Sequence, residues 1–350
     1  MSEAYIVGAV RSAGGRKNGR LSKIHPIDLG AMVVDALVEK TGVEVAEIDD
    51  LVWGCVSQVG AQSSNLGRNV CLASVLGEQV PGTTVDRQCG SGQQAIHFAA
   101  QAVMSGTQDV VIAGGVESMS QVPIGASIID GAKAEHGVPY GEAIMQRYPG
   151  VQFNQFTGAE MLVKKYELTS DELNAFAYDS HVKARRAVEE GRFEDEIVPI
   201  EVELEDGSRE MHVQDEGIRM DATLGAIAGL QPLSEDGVLT AANASQICDG
   251  AAAVMVANAE TCKRLGLKPL ARIVAMSVVG SDPVIMLEGP IPATRKVLER
   301  AGLGMADIDL FEVNEAFGSV PLAWARAMNA DLGKLNVNGG AQALGHPLGG

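Results

Sequence analysis

The sequence is poor in positive charge, in aromatic residues and in long apolar runs. Its 350 residues carry 27 lysines and arginines against 45 aspartates and glutamates, a formal net charge of −18. Such an acidic chain is a poor candidate for non-specific binding to nucleic acid. Aromatic residues make up only 4%, and no apolar run approaches the roughly 18 residues that a membrane span requires. We therefore expect neither a nucleic-acid partner nor a membrane-spanning segment.

Cysteine is scarce as well. The five cysteines are an odd number and include no C-x-x-C pair, which indicates reduced thiols in a cytoplasmic compartment. The N-terminus enters the apolar segment 5–10 within four residues, so we expect no signal peptide. Without C-x-x-C, H-x-x-x-H or an acidic calcium loop, the sequence predicts no metal site.

Glycine and short apolar segments are plentiful by contrast. The 41 glycines suit close packing of helices on a sheet better than a β-sandwich. Helical patterns such as 26–42 separate the apolar segments, and this alternation predicts βαβ units and a mostly parallel sheet. The segments interpreted as buried strands or small-residue helices are 5–10, 49–56, 109–115, 251–257 and 271–280.

An internal repeat links the two ends of the chain. Residues 37–54 align without gaps with residues 297–314 at a constant offset of 260. Both copies read as a helix, a glycine stop at Gly42 or Gly302, a short connection and a strand. Chance similarity of two helix–strand units is the alternative. We favour a duplicated α/β domain whose equivalent strand ends can face one site.

The region between the copies has a different character. Residues 118–142 are loop-like and rich in glycine, proline and serine. A charged amphipathic helix is predicted over 169–191, and polar strands over 196–207 and 209–217. We interpret 119–246 as an insertion that covers the end of the sheet where α/β proteins bind ligands.

Cys89 lies in the stretch VDRQCGSGQQA, residues 85–95, between an apolar run and a predicted helix. It could be a buried structural cysteine, the most frequent role of a free cysteine. The glycines also fit G-x-G-x-x-G/A, a weak dinucleotide signal with Glu117 as the ribose acid. As a third reading, the N-terminus of the helix lowers the pKa of the thiol and makes it a nucleophile. The glycines would then let a substrate carbonyl approach the backbone.

A nucleophile needs a base and a group that stabilises the oxyanion. The repeated strand ends in LFEVNEAFGS, where Asn314 and Glu315 replace a bland Gly-Cys in the first copy. The glycine-rich segment NVNGGAQALGHPLGG carries His346, and an imidazole on such a rigid loop is a candidate general base. These two features favour the nucleophile interpretation of Cys89.

The chain resembles the thiolases, acyl-CoA C-acyltransferases of the thiolase superfamily, over essentially its whole length. The resemblance implies an α/β fold of duplicated βαβαβαββ halves that form a layered α-β-α-β-α core with an inserted loop domain. It implies an N-terminal half at 1–118, a coenzyme A-binding insertion at 119–246, and 247–350 as a helix returning to the N-terminal half followed by the C-terminal half. Seven motifs in family order carry it: VDRQCGSGQQA (85–95), GGVESMS (114–120), GAEM (158–161), LTAANASQICDGAAA (239–253), DPVIM with EGP (282–290), VNEAF (313–317) and GGAQALGHPLG (339–349).

The resemblance also implies roles for individual residues. Cys89 corresponds to the acylated nucleophile, and His346 to the histidine that activates it. Asn314 corresponds to the asparagine that holds a catalytic water and, with His346, stabilises the thioester oxyanion. For coenzyme A it implies Arg219 near the adenine end, Ser245 with Ala241 along the pantetheine arm, and Phe317 in the tunnel.

The implied reaction is cleavage of a 3-ketoacyl-CoA, with coenzyme A as co-substrate, to acetyl-CoA and a shortened acyl-CoA. No permanently bound cofactor is implied, and the assembly implied is a homodimer or homotetramer. Phe156-Thr157-Gly158 replaces the His-Met-Gly of many members that make acetoacetyl-CoA, and Ala226 and Leu287 are further departures. These favour a degradative thiolase with a longer or bulkier acyl group.

Other functions stay open at this point. They are an acetoacetyl-CoA-forming thiolase, a ketoacyl synthase-like condensing enzyme, a coenzyme A-binding or scaffold protein without turnover, and the dinucleotide-binding oxidoreductase. Family members continue beyond the GHPLG motif to a second catalytic cysteine in a C-x-G motif. This sequence stops at Gly350, so we expect it to be truncated.

Overall fold

The computed structural model describes residues 3–204 and 206–350. Its strands are β1 (Ala4–Ser12), β2 (Gly15–Arg16), β3 (Asp50–Gly54), β4 (Gly82–Val85), β5 (Val110–Ser118), β6 (Ile197–Val198), β7 (Ile200–Glu203), β8 (Arg209–His212), β9 (Cys248–Asn258) and β10 (Ala271–Arg272). Its helices are α1 (Pro26–Thr41), α2 (Leu66–Ala73), α3 (Ser91–Ser105), α4 (Ala126–Lys133), α5 (Glu142–Arg147), α6 (Gln155–Lys165), α7 (Ser170–Glu189), α8 (Leu224–Ala228), α9 (Ala259–Leu265), α10 (Pro290–Ala301), α11 (Ser319–Met328) and α12 (Ala341–Leu344). The α/β class predicted from the sequence is confirmed.

Within the described residues, eight strands form one mixed sheet in the order β10-β1-β9-β5-β3-β4, with β2 beside β9 and β6 beside β1. The pairs β3–β4, β3–β5 and β1–β6 are parallel, whereas β9 runs antiparallel to both β1 and β5. The prediction of a mostly parallel sheet is therefore wrong. After the insertion the chain re-enters beside the last residue of β5, where Asp249 pairs with Ser118. A strand that starts from that end of the sheet runs antiparallel to β1 and β5.

The residues after the insertion also differ from expectation. We predicted a helix returning to the N-terminal half from 247 onward, but the chain forms strand β9 first and the short helix α9 afterwards. The ambiguous apolar segment 251–257 lies inside β9 and is a strand. Its alanines and valines are buried or nearly so, which suits a central strand covered on both faces.

Two helices cover opposite faces of this sheet. On one face α1 packs Leu29, Val33 and Leu37 against Leu51, Trp53 and Ile112. On the other face α3 packs its small residues Ala95, Ala99, Ala100 and Val103 against Val52, Val111 and Ala113. Alternate residues of β5 enter the two clusters, as the period of two along a strand requires. The chain enters α3 directly from the turn that carries Cys89.

The internal repeat is visible in the structure as far as its helices. Helix α1 ends at Gly42 with φ +66°, and α10 ends at Gly302 with φ +68°. Each helix is followed by a short 3₁₀ helix, Val45–Glu47 or Met305–Asp307, at the same offset. A left-handed glycine is the common end of a helix, and it supports the alignment of the two copies.

The strand of the second copy is not formed as predicted. Among the described residues, the segment 310–314 makes a single bridge, between Phe311 and Leu335. Its counterpart β3 has β4 and β5 along its two edges. Likewise, only Ala271–Arg272 of the predicted strand 271–280 pairs, with β1. A ladder needs a neighbouring strand to bond its amides and carbonyls, and the described residues supply none here.

The insertion forms the predicted amphipathic helix as α7. Thr169 caps it and Glu172 reaches back in a capping box. Gly191 has φ +69° just beyond the helix, as expected for a stop. The polar strands appear as β6, β7 and β8, although Glu205 of the predicted strand 196–207 lies outside the described residues. No helix in the described part of the chain is long and apolar enough to cross a membrane.

Candidate active site

Cys89 lies on a tight turn between β4 and α3. Gln88 before it has φ +50°, an uncommon conformation for a residue other than glycine. The Ser91 hydroxyl accepts a hydrogen bond from Arg87 N at 2.9 Å and donates to Gln88 O at 2.6 Å. These bonds hold the turn, so that half-buried Cys89 lies just before the first residue of the helix.

The glycine-rich segment 336–350, which carries His346, packs against this end of the sheet. A Cβ added at Gly115 would lie 1.9 Å from Gly349 O, and one at Gly54 would lie 2.3 Å from the same atom. Only glycine permits such close approach of one backbone to another. Glycines at the ends of β3 and β5 therefore let the segment that carries His346 lie across the strand ends.

His346 is held by its backbone. Its N–H donates to Gln246 O at 3.2 Å, and the Gln246 side chain donates to Gly217 O at 2.8 Å and Gln342 O at 2.7 Å. Burial lowers the pKa of His346 to about 4, because a low-dielectric surrounding disfavours the charged ring. The imidazole is therefore neutral near pH 7, and one of its ring nitrogens carries an unprotonated lone pair.

Asn314 contacts this imidazole, because its Nδ2 lies 3.4 Å from His346 Nε2. An amide nitrogen can only donate, so the Nε2 atom faces Asn314 as the acceptor. The two side chains come from different segments of the second half, 310–314 and 336–350. The predicted pairing of Asn314 with His346 is thus present as a contact.

A cavity of about 120 Å³ joins residues from the two halves of the chain. Four of the predicted site residues line it: Cys89, Ser245, Phe317 and His346. Asn314 lines a wider groove that also reaches Cys89. The remaining wall is mostly apolar and includes Met119, Ile124, Phe156 and Leu348.

Two of the predicted coenzyme A residues line neither the cavity nor the groove. Arg219 is exposed, and its backbone N–H donates to His181 Nδ1 at 3.2 Å. No carboxylate among the described residues lies within ion-pair distance of the Arg219 guanidinium. Ala241 is exposed on a short 3₁₀ helix.

The electrostatics of Cys89 differ from the expectation. Burial raises the pKa of the thiol, and the nearby carboxylates of Glu117 and Asp86 raise it further. The predicted lowering of the Cys89 pKa is therefore wrong, because loss of hydration at the turn outweighs the favourable backbone dipoles. The thiol therefore needs a base to become a thiolate, and the neutral imidazole of His346 lines the same cavity.

Glu117 does not serve as a ribose acid. It is fully buried at the end of β5, and its carboxylate accepts from Val56 N at 2.9 Å, Ser57 N at 3.0 Å and the Gln62 side chain at 2.7 Å. These bonds fix the loop after β3 and leave no room for a nucleotide hydroxyl. The dinucleotide interpretation loses its acid.

Two residues at this site received no role from the sequence, although both lie inside motifs quoted above. Gln246 anchors the His346 segment, as described above, and lies inside a motif that we assigned to coenzyme A. Glu315 directly follows Asn314 and is 1% exposed. The signal for it was present, because the repeat places Glu315 opposite Cys55 of the first copy, a change from a neutral side chain to a charged one.

Comparisons with known proteins cover the whole chain. The model of the thiolase N-terminal domain matches residues 4–260, and that of the thiolase C-terminal domain matches residues 267–350. A steroid 3-ketoacyl-CoA thiolase of Mycobacterium tuberculosis is 48% identical over 351 residues, covering 100% of this chain and 85% of that protein. A 3-ketoacyl-CoA thiolase of Bacillus subtilis is 41% identical over 359 residues, covering 100% of this chain and 90% of that protein. The crystal structure of an acetyl-CoA acetyltransferase from Bacillus anthracis superposes with a TM-score of 0.90 at 38% identity, over 99% of this chain and 89% of that one.

Proposed function

The chain is an acyltransferase of the thiolase family. We propose that it cleaves a 3-ketoacyl-CoA through an acyl-Cys89 intermediate. Acetyl-CoA and a shortened acyl-CoA are the products, as the names of its relatives support. The observation that carries the mechanism is the shared cavity, which Cys89 and His346 line from opposite halves of the chain.

The first chemical step is proton transfer from Cys89 to the neutral His346. The thiolate then attacks the 3-keto carbon, a C–S bond forms, and the carbonyl electron pair moves onto oxygen. Asn314 and the protonated His346 stabilise that oxyanion, either directly or through a water. The contact of 3.4 Å between these two side chains supports such a shared role.

The second step restores the carbonyl. The oxyanion collapses, the C2–C3 bond breaks, and its electron pair leaves as the enolate of acetyl-CoA. The enolate takes up at C2 the proton that His346 holds, so that His346 is neutral again. Coenzyme A then gives its thiol proton to His346. Its sulfur attacks the acyl-Cys89 thioester and expels the Cys89 thiolate. His346 returns a proton to Cys89, and the site regains its starting state.

The lining of the cavity supports a choice of acyl group. Phe156 is 48% exposed and meets Phe317 edge to face, with ring centroids 5.2 Å apart. It borders both the cavity and the groove. An acyl chain longer than the cavity would pass this ring into the groove. We therefore favour degradation of a longer or bulkier acyl-CoA over acetoacetyl-CoA formation, and the steroid 3-ketoacyl-CoA relative supports this choice.

Coenzyme A enters as a co-substrate, with no cofactor held permanently. In this proposal Ser245 and Phe317 contact the pantetheine arm, since both line the cavity. Ala241 borders the same arm nearer the surface. Arg219 presents an exposed guanidinium to the phosphates at the adenine end, a group for which arginine is well suited.

Mass spectrometry tests the intermediate. Incubation with an acyl-CoA should add the acyl mass to the peptide that contains Cys89, and Cys89→Ala should remove the adduct. Acylation of another cysteine, or none at Cys89 in the parent protein, contradicts the mechanism. Turnover of long-chain against acetoacetyl substrates then decides the acyl preference.

A cytoplasmic location and a homodimeric or homotetrameric state complete the proposal. All five cysteines are free thiols, which suits a reducing compartment. Light scattering on the purified protein measures the assembly, and a monomer at all concentrations contradicts it.

A further inference from the structure

Glu315 is a charged side chain to which the mechanism above gives no task. It is 1% exposed and follows Asn314 directly in the chain. A carboxylate this deeply buried is costly unless it is fully hydrogen-bonded. Burial raises the pKa of Glu315, whereas its hydrogen-bond donors and the nearby Lys183 cation oppose that rise.

In the described part of the chain, three groups donate to this carboxylate. Oε1 accepts from Asn336 Nδ2 at 2.9 Å, and Oε2 accepts from the Ser180 hydroxyl at 2.8 Å and from Gln342 N at 3.0 Å. The Ser180 oxygen itself accepts from Gly340 N at 3.1 Å, so its hydrogen is free to point at Glu315. Each partner is a donor in this arrangement, and an ionised carboxylate can accept all three bonds.

The side-chain amide of Asn336 cannot rotate to present its oxygen to Glu315 without losing other hydrogen bonds. Its Oδ1 accepts from Val313 N at 2.9 Å, and its Nδ2 also donates to Val313 O at 2.9 Å. The amide is thus fixed by the backbone just before Asn314. The same carboxylate therefore connects to the Asn314 segment both through its own main chain and through Asn336.

The turn that carries His346 lies directly on this carboxylate. A Cβ at Gly340 would lie 2.4 Å from the carboxyl carbon of Glu315, and Gln342 N is bonded to it four residues before His346. Ser180 brings in helix α7 of the insertion. One side chain thus joins the segment of Asn314, the turn of His346 and the insertion.

We propose that Glu315 is a positioning residue for acyl transfer: its carboxylate holds the Asn314 segment against the His346 turn and sets the contact between these two side chains. The proposal rests on the function proposed for Cys89 and His346. It predicts that disturbance of Glu315 changes how readily Cys89 loses its proton, although Glu315 touches neither the thiol nor the substrate.

The test replaces Glu315 with glutamine, which has nearly the same volume but turns an N–H towards one of the three donors. Iodoacetamide alkylates the Cys89 thiolate, with an S–C bond formed and iodide expelled, and the rate is measured against pH. We expect the midpoint of this profile to rise in Glu315→Gln. We also expect kcat for the acyl-CoA reaction to fall roughly 10- to 100-fold with KM little changed, because misplacement by ~1 Å can cost about 100-fold. Glu315→Asp keeps the charge and should recover part of the loss.

Asp49→Asn is the matched control. Asp49 accepts from two backbone amides, Asp109 N at 2.6 Å and Val110 N at 3.0 Å, at the end of β5 opposite to Glu117. It should leave the alkylation midpoint unchanged. Thermal unfolding of every variant separates lost stability from lost positioning, and all rates are measured below the lowest melting temperature.

The outcomes are distinguishable. A lower melting temperature with an unchanged alkylation midpoint and kcat in both Glu315 variants overturns the positioning role. If the glutamine variant does not fold, the midpoint of Glu315→Asp decides by the same criterion. Failure of the parent protein to form acyl-Cys89 refutes the proposed function instead, whereas the alkylation profiles still report on Glu315.

Discussion

Replacement of His346 by alanine should slow the acylation of Cys89 by roughly 100- to 10,000-fold at pH 7, the range that a general base contributes. Burial lowers the pKa of His346 to about 4, so the imidazole of the parent protein is neutral at this pH. Burial raises the pKa of Cys89 above the ordinary value of about 8.5, so fewer than about 3 thiols in 100 ionise without a base at pH 7. The substitution therefore leaves the thiol largely protonated.

The dependence on pH distinguishes this explanation from a general loss of structure. In the parent protein, acylation should stay nearly level above about pH 5 and fall only as His346 takes up a proton near its own pKa. In His346→Ala the rate should instead follow the thiolate fraction and rise about tenfold per pH unit up to the pKa of Cys89. The two profiles should converge at high pH.

Rapid quenching followed by mass spectrometry of the Cys89 peptide measures these rates. His97→Ala provides the comparison, because His97 on α3 lines the groove beside Cys89 and burial lowers its pKa as well. It should acylate nearly as fast as the parent protein. Equal rates for His346→Ala and the parent protein at pH 7, or a loss confined to His97→Ala, would refute the assignment of the base.

Three other perturbations test separate parts of the structure. Burial lowers the pKa of both His181 and His346 to about 4, whereas the unfolded chain takes up these protons near pH 6.5. The free energy of unfolding should therefore fall by up to about 1.4 kcal/mol per pH unit for each histidine as pH drops from ~6.5 towards ~4. Urea unfolding at stepped pH measures this slope, and His181→Gln should make it shallower. A free energy of unfolding that does not change with pH contradicts the reasoning. Phe156→Ala removes the ring between cavity and groove and should raise kcat/KM for long acyl chains relative to short ones, with an unchanged ratio as the contrary result. Arg219→Ala should raise the KM for coenzyme A about tenfold, the value of one charge-assisted bond, while kcat stays; an equal KM speaks against the phosphate contact.

Cys89, Asn314 and His346 stood out in the sequence at strand ends and on a glycine-rich loop, whereas Ser245 and Phe317 followed from the family resemblance. Cys89, Ser245, Phe317 and His346 do line one cavity. The prediction was weakest where three-dimensional surroundings decide. Nothing in the sequence around Cys89 reveals that the loss of hydration raises the pKa of the thiol by more than the backbone dipoles at the helix end lower it.

Topology was predicted less well than class. The apolar segment 251–257 has no period that distinguishes strand from helix, and its place between β1 and β5 depends on where the chain re-enters after the insertion. Glu315 was passed over for a related reason. The repeat shows the change from Cys55 to Glu315, but it does not show that the carboxylate is buried, and three converging donors reveal its surroundings.

The placement of β9 has a consequence for the order in which the chain acquires its structure during synthesis. Val10 pairs with Ala253 of β9, and Ala113 pairs with Val254, so β1 and β5 have no contact in the sheet without a strand made more than a hundred residues later. Until the ribosome has released residue 258, both strands keep an unpaired edge, and such edges invite aggregation. The first half is therefore continuous in sequence, but it cannot complete its sheet during synthesis before β9 has been made. Contacts this distant along the chain favour slow folding, and the insertion must leave the ribosome before the sheet around the nucleophile can close.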